Sequence, residues 1–339
     1  MADMPQSYPT RPFGARTNVD LPVLGFPSVA LARMEASSQS DADEVVRHAV
    51  EDLGIQYFDV APEYGDGAAQ ERLGPALERY RPGVFLAAKT MFRDAEGAAA
   101  DLENTLKVLR TDYLDLYQFH SISTDADVDE ILGEGGAMET FVVAKADGRV
   151  RNIGFSAHSE PAAIRMIESG TVDTCMFPVN FAAWHFGGIG PAVLESAVRH
   201  GVGVVALKAC ARGRVRPGEG ESVTPPAAGT ARHVPEWKRA EMISFPVRTS
   251  GRHPTCWYEP EENVKEQRRL LLWALSRPGV VSVLPPGSLE LLDGIASVLQ
   301  GVTNVPTFDE GDLPHMMERY KEEMPIFHNR NESGSKVST

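Results

Sequence analysis

The chain has 339 residues and a formal net charge of -14, which argues against nucleic acids and anionic membranes as partners because both favour basic surfaces. No apolar run approaches the ~20 residues that a membrane span needs. Its three cysteines are widely spaced without a CxxC pair, so they indicate neither a zinc site nor a disulfide framework and are typical of reduced thiols in a cytoplasmic protein.

The first predicted elements lie after residues 1–20, which are predicted to form a loose N-terminal leader without the apolar core of a signal peptide. The apolar run at 21–31 predicts the first strand. A helix is predicted next, because Ser40 is a candidate N-cap residue, acidic residues follow it, and Gly54 stands just past the end. The apolar residues of this helix share one face: Val45, Val46, Ala49, Val50 and Leu53.

The same strand and helix unit then repeats along the chain. Further strands are predicted at 56–60, 84–89, 113–119, 150–155, 173–179, 203–208 and 279–284. Helices are predicted at 68–80, 96–109, 137–147, 160–169, 190–200, 263–276, 288–299 and 309–323. Eight strands that alternate with helices favour a (β/α)8 TIM barrel, here a single domain over 21–328. The active site of such a barrel lies at the C-terminal ends of its strands.

Four polar residues stand at the ends of predicted strands or directly after them, namely Asp59, Tyr64, Lys89 and His120. Parallel strands would bring these side chains out at one end of the barrel. An ammonium group lowers the pKa of a neighbouring phenol, and a carboxylate keeps that ammonium charged. An imidazole can orient a carbonyl group. The set therefore suits proton delivery to a carbonyl or proton removal from an alcohol.

Each of these residues also has a plainer interpretation when it is taken alone. Asp59 and Lys89 would fit a structural ion pair. Tyr64 would fit a packing aromatic residue, and His120 a hydrogen-bonded core histidine. Charges at strand ends that face a barrel mouth are more often functional, so the four together favour the catalytic interpretation.

The segments that carry these residues resemble the aldo-keto reductase family over roughly 21–299. The matching motifs are FDVAPEYG, VFLAAKT, DYLDLYQFH and GRVRNIGFSAHS. The resemblance implies an oxidoreductase that transfers a hydride between a nicotinamide cofactor and a small carbonyl or alcohol substrate. It implies that Tyr64 gives or takes the proton and that Lys89 lowers the pKa of Tyr64. Asp59 would hold Lys89, and His120 would orient the carbonyl oxygen.

The resemblance also implies NADPH as cofactor, with NADH as the second option. Seven residues are candidates for binding it: Ser156, Asn180, Lys208, Arg212, Pro286, Gly287 and Ser288. The last three match a turn whose backbone N–H groups hold a phosphate at a helix start, and an ordinary helix cap is the alternative. A local turn role competes for Asn180.

Three departures from the family pattern concern the same cofactor. Met176 stands where the family has the glutamine that binds the carboxamide, and Leu207 stands where it has the aromatic residue that stacks on the nicotinamide. No basic residue follows Gly287 to hold a 2′-phosphate, and Glu290 stands nearby. Lys208 and the arginines from residue 212 onward are the candidate replacements, so NADPH keeps only a narrow preference.

The substrate pocket is predicted to include His158, Trp184, His185 and Trp257. His158 follows Ala157, which takes the family's asparagine position, and it contacts cofactor or substrate or else caps the helix that opens at Glu160. Loop packing is the alternative for the other three. Residues 212–260 break the alternation and are predicted to form an irregular lid after the seventh strand, with a passive insertion as the alternative. The tail at 329–339 is predicted to be disordered.

Two other functions fit the same residues. The altered nicotinamide positions would suit a redox-neutral lyase, dehydratase or epimerase that uses the same acid and base. A non-catalytic subunit that binds the cofactor is the second alternative, and the retention of all four catalytic candidates argues against it.

Overall fold

An eight-stranded parallel barrel forms the centre of the protein. The computed structural model describes residues 8–33, 38–214, 223–224, 247–248, 253, 256 and 258–327. Each barrel strand pairs in parallel with the next one along the chain, and a bridge between Leu24 and Val283 joins the first strand region to the last. The strands are Phe26–Pro27, Tyr57–Asp59, Phe85–Thr90, Leu116–Ile122, Ile153–Ala157, Thr174–Pro178, Gly203–Leu207 and Val280–Leu284. The predicted (β/α)8 barrel is confirmed.

Helices cover the outer face of the barrel, where their apolar sides join the main hydrophobic core. They are Gln39–Arg47, Ala68–Leu77, Ala95–Val108, Asp125–Leu132, Ala137–Ala146, Glu160–Glu168, Phe181–His185, Pro191–His200, Val264–Leu275, Leu289–Ala296 and Leu313–Tyr320. Asp125–Leu132 and Phe181–His185 go beyond the predicted set, because helices this short show little apolar periodicity. The prediction of Ser40 as N-cap is wrong. Ser38 is the N-cap and forms a capping box with Asp41.

The interior of the barrel is layered, since alternate side chains of a strand point to the same side. Its apolar cluster contains Phe13, Leu21, Tyr57, Ala87, Leu116, Met176, Val205, Val281 and Leu284. Along the same strands, Asp59, Lys89 and Gln118 lie two residues after Tyr57, Ala87 and Leu116, respectively. These three polar residues are at most 1% exposed. The polar groups thus gather towards the C-terminal ends of the strands.

The described part of the N-terminal segment is ordered into a hairpin, so the predicted loose leader is wrong there. Thr10–Pro12 pairs antiparallel with Asp20–Pro22. The predicted strand at 21–31 therefore divides between this hairpin and the two-residue barrel strand Phe26–Pro27. Phe13 is fully buried and meets the Phe85 ring edge-on, with ring centroids 5.2 Å apart. A single buried aromatic residue in a polar segment has no periodicity to reveal it.

Phe13→Ala is expected to lower the free energy of unfolding by about 3–5 kcal/mol, the usual cost of truncating a buried phenylalanine. Asn18→Ala, at an exposed position in the same hairpin, is the matched control and should change it by less than about 0.5 kcal/mol. Urea denaturation followed by circular dichroism measures both variants. Equal stability of the two would contradict a core role for the hairpin.

Most of the predicted lid at 212–260 lies outside the described residues, as do the tail at 329–339 and Trp257. At its ends, Ala211–Arg214 pairs antiparallel with Tyr258–Pro260. Within the ranges that the structure describes, no helix is long and apolar enough to cross a bilayer. The three cysteines are buried and are not joined by disulfides.

Candidate active site

The four catalytic candidates come together at the C-terminal end of the barrel. Asp59 ends the second barrel strand, Lys89 lies in the third, and His120 lies in the fourth. Tyr64 lies in the turn between the second strand and the helix that follows it. The shared strand polarity therefore produces the juxtaposition that the sequence pattern predicts, and the catalytic roles of these residues remain predictions.

A tight turn places Tyr64 over Lys89. The Tyr64 N–H donates to Ala61 O at 3.1 Å, and Gly65 adopts the left-handed region with a φ of 67°. A Cβ at Gly65 would lie 2.9 Å from Ala32 Cβ, so both the backbone conformation and the close approach favour glycine. The turn leaves the Tyr64 hydroxyl 3.1 Å from Lys89 Nζ.

Lys89 is fully buried and is bonded on two sides. Its ammonium group forms a hydrogen-bonded ion pair with Asp59 and also donates to Tyr64 Oη. Gln118 supports this pair, since its Nε2 donates to Asp59 Oδ2 at 3.1 Å. Gln118 is absent from the sequence-based candidates. The signal for it is the period of two along the strand, because it lies two residues before His120.

Burial and the ion pair set the protonation states of this group. Burial raises the pKa of Tyr64, and the charge and hydrogen bond of Lys89 oppose that rise only in part. Burial lowers the pKa of Lys89, but the charges and hydrogen bonds of Asp59 and Tyr64 together outweigh burial, so the net pKa is raised. Lys89 therefore lowers the pKa of Tyr64 as predicted, but burial raises it by more, so the net pKa lies above its usual value. At neutral pH a neutral phenol faces a charged ammonium group.

His120 lies in a bulge of the fourth barrel strand, where the register of pairing with the fifth strand shifts. Ser121 adopts a left-handed conformation there, with a φ of 57°, and its N–H donates to Ser156 Oγ at 2.7 Å. Bulges re-aim side chains at the rims of barrels. This bulge leaves the imidazole edge-on to the Tyr64 ring, with ring centroids 5.9 Å apart.

A carboxylate that is absent from the sequence-based candidates lies against His120. Glu63 Oε2 is 2.8 Å from His120 Nδ1, and the Glu63 side chain is 3% exposed. Glu63 directly precedes Tyr64 in the motif. Sequence spacing gives no signal for this contact, because the direction of a side chain within an irregular turn depends on the backbone of that turn.

The side-chain amide of Asn180 forms hydrogen bonds to backbone groups of the protein. Its Oδ1 accepts a hydrogen bond from the Ala183 N–H at 3.0 Å and so caps the short helix Phe181–His185. Its Nδ2 donates to Lys208 O at 3.0 Å and to Ala211 O at 2.6 Å. These contacts agree with the local turn role that is the alternative for Asn180, and its part in cofactor binding stays a prediction.

Lys208 follows the seventh barrel strand in a left-handed conformation, with a φ of 58°. Its ammonium nitrogen lies 5.9 Å from the centroid of the Tyr258 ring. Burial and the charge of Lys89 together lower the pKa of Lys208 to about 8. Lys208 therefore lies within electrostatic reach of the Lys89 ammonium. Arg212 instead forms an ion pair of 2.8 Å with Glu323, near the end of the described chain.

The predicted phosphate-binding turn, which comprises Pro286, Gly287 and Ser288, joins the eighth strand to helix Leu289–Ala296. A Cβ at Gly287 would lie 2.4 Å from Val29 Cγ1, so the turn packs closely on the segment after the first barrel strand. Ser288 Oγ is 2.9 Å from Nδ1 of the buried His253. His253 lies within 212–260, where the sequence shows no periodicity that could place it.

The predicted substrate-pocket residues make packing contacts in two places. The His158 ring stacks on Phe327, with centroids 5.2 Å apart. Trp184 and His185 contact the Trp273 ring, with centroid distances of 5.6 Å and 5.7 Å. Burial lowers the pKa of His185. Packing, the alternative for Trp184 and His185, accounts for these contacts, and the pocket roles of all three residues stay predictions.

The arrangement as a whole can transfer a proton at a phenol beside a buried ammonium group. Among the described residues, no cluster of three or more His, Cys, Asp or Glu side chains is placed to hold a metal ion. Met176 and Leu207 belong to the apolar interior. The Ser156 hydroxyl, the Lys208 ammonium group and the turn at 286–288 add hydrogen-bond donors around the same strand ends.

Comparison with known proteins finds the same family resemblance that the sequence motifs indicate, and it extends over most of the chain. The model of the aldo/keto reductase family matches residues 23–299. Aldo-keto reductase YhdN of Bacillus subtilis is 37% identical over 128 residues, which cover 34% of this chain and 37% of the relative. Aldo-keto reductase yakc [NADP(+)] of Schizosaccharomyces pombe is 31% identical over 164 residues, which cover 44% of this chain and 46% of the relative. The matches thus span less than half of these curated relatives.

A solved structure supports the fold. It is the aldo-keto reductase from Klebsiella pneumoniae in complex with NADPH, which superposes with a TM-score of 0.62 at 19% identity. The match covers 98% of this chain and 100% of the other one. At this identity the likeness establishes the barrel architecture.

Proposed function

Because the chain belongs to the aldo/keto reductase family, we propose that it is an NAD(P)H-dependent oxidoreductase acting on a small carbonyl or alcohol substrate, with Tyr64 as acid or base. The observation that carries this proposal is the contact of 3.1 Å between Tyr64 Oη and Lys89 Nζ. A buried ammonium group stabilises the phenolate that remains when the phenol gives up its proton. Asp59 keeps that ammonium group charged.

At neutral pH, the protonation state proposed for Tyr64 is that of a proton donor for carbonyl reduction. Burial raises the pKa of Tyr64, so the phenol carries the proton that a reduced carbonyl oxygen must receive. His120 orients the carbonyl oxygen over Tyr64. Reduced nicotinamide, when bound, supplies the hydride that the carbonyl carbon accepts.

We propose NADPH as the cofactor and NADH as the second option. The donor chemistry at the strand ends fits an anionic dinucleotide, since Lys208 offers a cation and the helix start at Ser288 offers backbone N–H groups. The Ser156 hydroxyl is the group proposed for the carboxamide. The Klebsiella pneumoniae protein of the same fold binds NADPH.

Two measurements test the proposal. Fluorescence titration with NADPH and NADH measures cofactor binding. The decrease in NADPH absorbance in the presence of a panel of aldehydes and ketones measures turnover. Tight binding with substrate-dependent oxidation is the expected result. Tight binding without turnover on any substrate would support a non-catalytic subunit. Absence of binding would support the redox-neutral enzyme, which the apolar side chains of Met176 and Leu207 at the nicotinamide positions favour.

Cofactor affinity is expected to fall as the pH rises through the pKa of Lys208, which burial lowers to about 8. Below that pH the side chain is charged and attracts an anionic cofactor, and above it the attraction is lost. Lys208→Met should weaken binding at pH 7 and remove this pH dependence. Lys208→Arg, which stays charged, is the matched control and should keep tight binding to higher pH. Identical pH profiles for wild type and Lys208→Met would contradict a cofactor contact.

A further inference from the structure

Glu63 and His120 form a pair at the barrel mouth, beside the proposed proton donor. Glu63 Oε2 lies 2.8 Å from His120 Nδ1, and the two side chains are 3% and 15% exposed. We propose that Glu63 is a positioning residue that holds His120 as an imidazolium ion, with Nδ1–H on the carboxylate and Nε2–H as a charged donor to the substrate oxygen. The inference rests on the proposed function and deepens it, because it assigns a charge state to the residue that orients the substrate.

The hydrogen-bond chemistry of the ring carries the argument. An ionised carboxylate only accepts hydrogen bonds, so Nδ1 must carry a hydrogen where it faces Glu63. A neutral imidazole has one N–H, and with that hydrogen on Nδ1 its Nε2 is an acceptor. An acceptor would repel a carbonyl oxygen. Only the imidazolium ion donates from both nitrogens, so the Glu63 contact makes the donor function of Nε2 depend on the ring charge.

The charges around the ring favour that state. The buried cation of Lys89 is matched by Asp59, and that of Arg93 by Asp127, whose Oδ1 accepts from Arg93 Nε at 3.0 Å. Burial lowers the pKa of Arg93, and the charges of Asp127 and Glu63 oppose this. The guanidinium therefore lies near enough to attract the negative charge of the Glu63 carboxylate. Among the described residues, the titratable groups on which the charge of Glu63 acts include Tyr64, Arg93, Asp101 and Tyr117. Lys89, Asp59 and Asp127 lie behind them as the partners of Tyr64 and Arg93.

The backbone on both sides of the pair restrains its geometry. Arg93 Nη2 donates to the His120 carbonyl oxygen at 2.7 Å. On the other side, Tyr64 N–H is bonded to Ala61 O, which fixes the turn that carries Glu63. Hydrogen bonds thus restrain both the turn that carries Glu63 and the strand that carries His120. Such restraint suits a ring whose Nε2 must point towards the substrate.

Histidine-selective NMR tests the proposal without any turnover. The chain contains nine histidines, and His120→Gln identifies the His120 signal by its loss. In Glu63→Gln the titration midpoint of His120 should move to lower pH by about one unit or more, because an adjacent negative charge has been removed. His48, which pairs with Asp52 and Asp293 away from this site, is the internal control and should not move. An unchanged His120 midpoint would overturn the proposal even in a protein that reduces carbonyls.

A second measurement keeps the test independent of whether Glu63→Gln folds. In the wild type at pH 7, the ring nitrogen shifts of His120 should be those of two protonated nitrogens. One protonated and one unprotonated nitrogen would overturn the proposal. The nitrogen shifts need no activity, so a protein without carbonyl reductase activity still gives a decision on Glu63.

The pH profile of reduction distinguishes positioning from a merely structural role. Glu63→Gln should lower kcat by about five- to tenfold where the wild-type ring is protonated, since a charge-assisted hydrogen bond is replaced by a neutral one. The glutamine amide can donate to Nδ1 and leave Nε2–H on a neutral ring. The variant should therefore lose the fall in rate that the wild type shows as His120 deprotonates. A uniform loss with an unchanged profile would overturn the assignment.

Discussion

Tyr64→Phe is expected to lower kcat for carbonyl reduction by about 10²–10⁴-fold, the usual contribution of a positioned acid. The substitution removes only the hydroxyl that lies 3.1 Å from Lys89 Nζ. The phenyl ring can keep its edge-on contact with His120, whose ring centroid is 5.9 Å away. The dissociation constant for NADPH should stay nearly unchanged, so the loss should fall on kcat. Steady-state kinetics and fluorescence titration on the same preparations measure the two quantities.

Tyr57→Phe is the matched control for this experiment. Tyr57 lies in the same strand as Asp59, in the apolar interior cluster, and its hydroxyl has no hydrogen-bond partner among the described residues. Loss of that hydroxyl should leave turnover near the wild-type value. If Tyr64→Phe retained most of its activity, or if both variants lost it equally, Tyr64 would not be the proton donor.

The catalytic candidates are predictable from sequence because the barrel fixes where strand ends meet. Asp59, Lys89 and His120 each close an apolar run, and parallel pairing of those runs brings them to one rim. Gln118 follows from the alternation along the fourth strand. The order and type of the barrel strands after the first and of the longer helices are equally predictable, since each run has the periodicity of its structure.

The parts that escape prediction depend on irregular backbone or on burial. Glu63 reaches His120 from within a turn, and His253 reaches Ser288 from a loop without periodicity. The net pKa of Tyr64 escapes as well, because the charge of Lys89 lowers it but burial in the folded site raises it by more. The burial of Phe13 is not predictable for a related reason, because one buried side chain in a short hairpin produces no periodic pattern in the sequence.

Lys89→Met is expected to reduce both stability and turnover, through two separable causes. Asp59 is 1% exposed, and removal of its cationic partner leaves a buried carboxylate held by Gln118. Breaking a buried ion pair from one side costs about 3–5 kcal/mol of folding stability. Turnover should fall by about 10²-fold or more, because the phenolate of Tyr64 loses the charge that stabilises it.

The double variant Asp59→Asn, Lys89→Met separates these causes. An asparagine at position 59 can still accept a hydrogen bond from Gln118 Nε2, and the buried negative charge is gone. We therefore expect urea denaturation to show that most of the lost stability returns, while turnover stays as low as in Lys89→Met. If turnover recovered together with stability, Lys89 would contribute to folding stability and would not be needed for catalysis. If the double variant stayed unstable, the ion pair itself would stabilise the barrel, in addition to its effect on the phenolate of Tyr64.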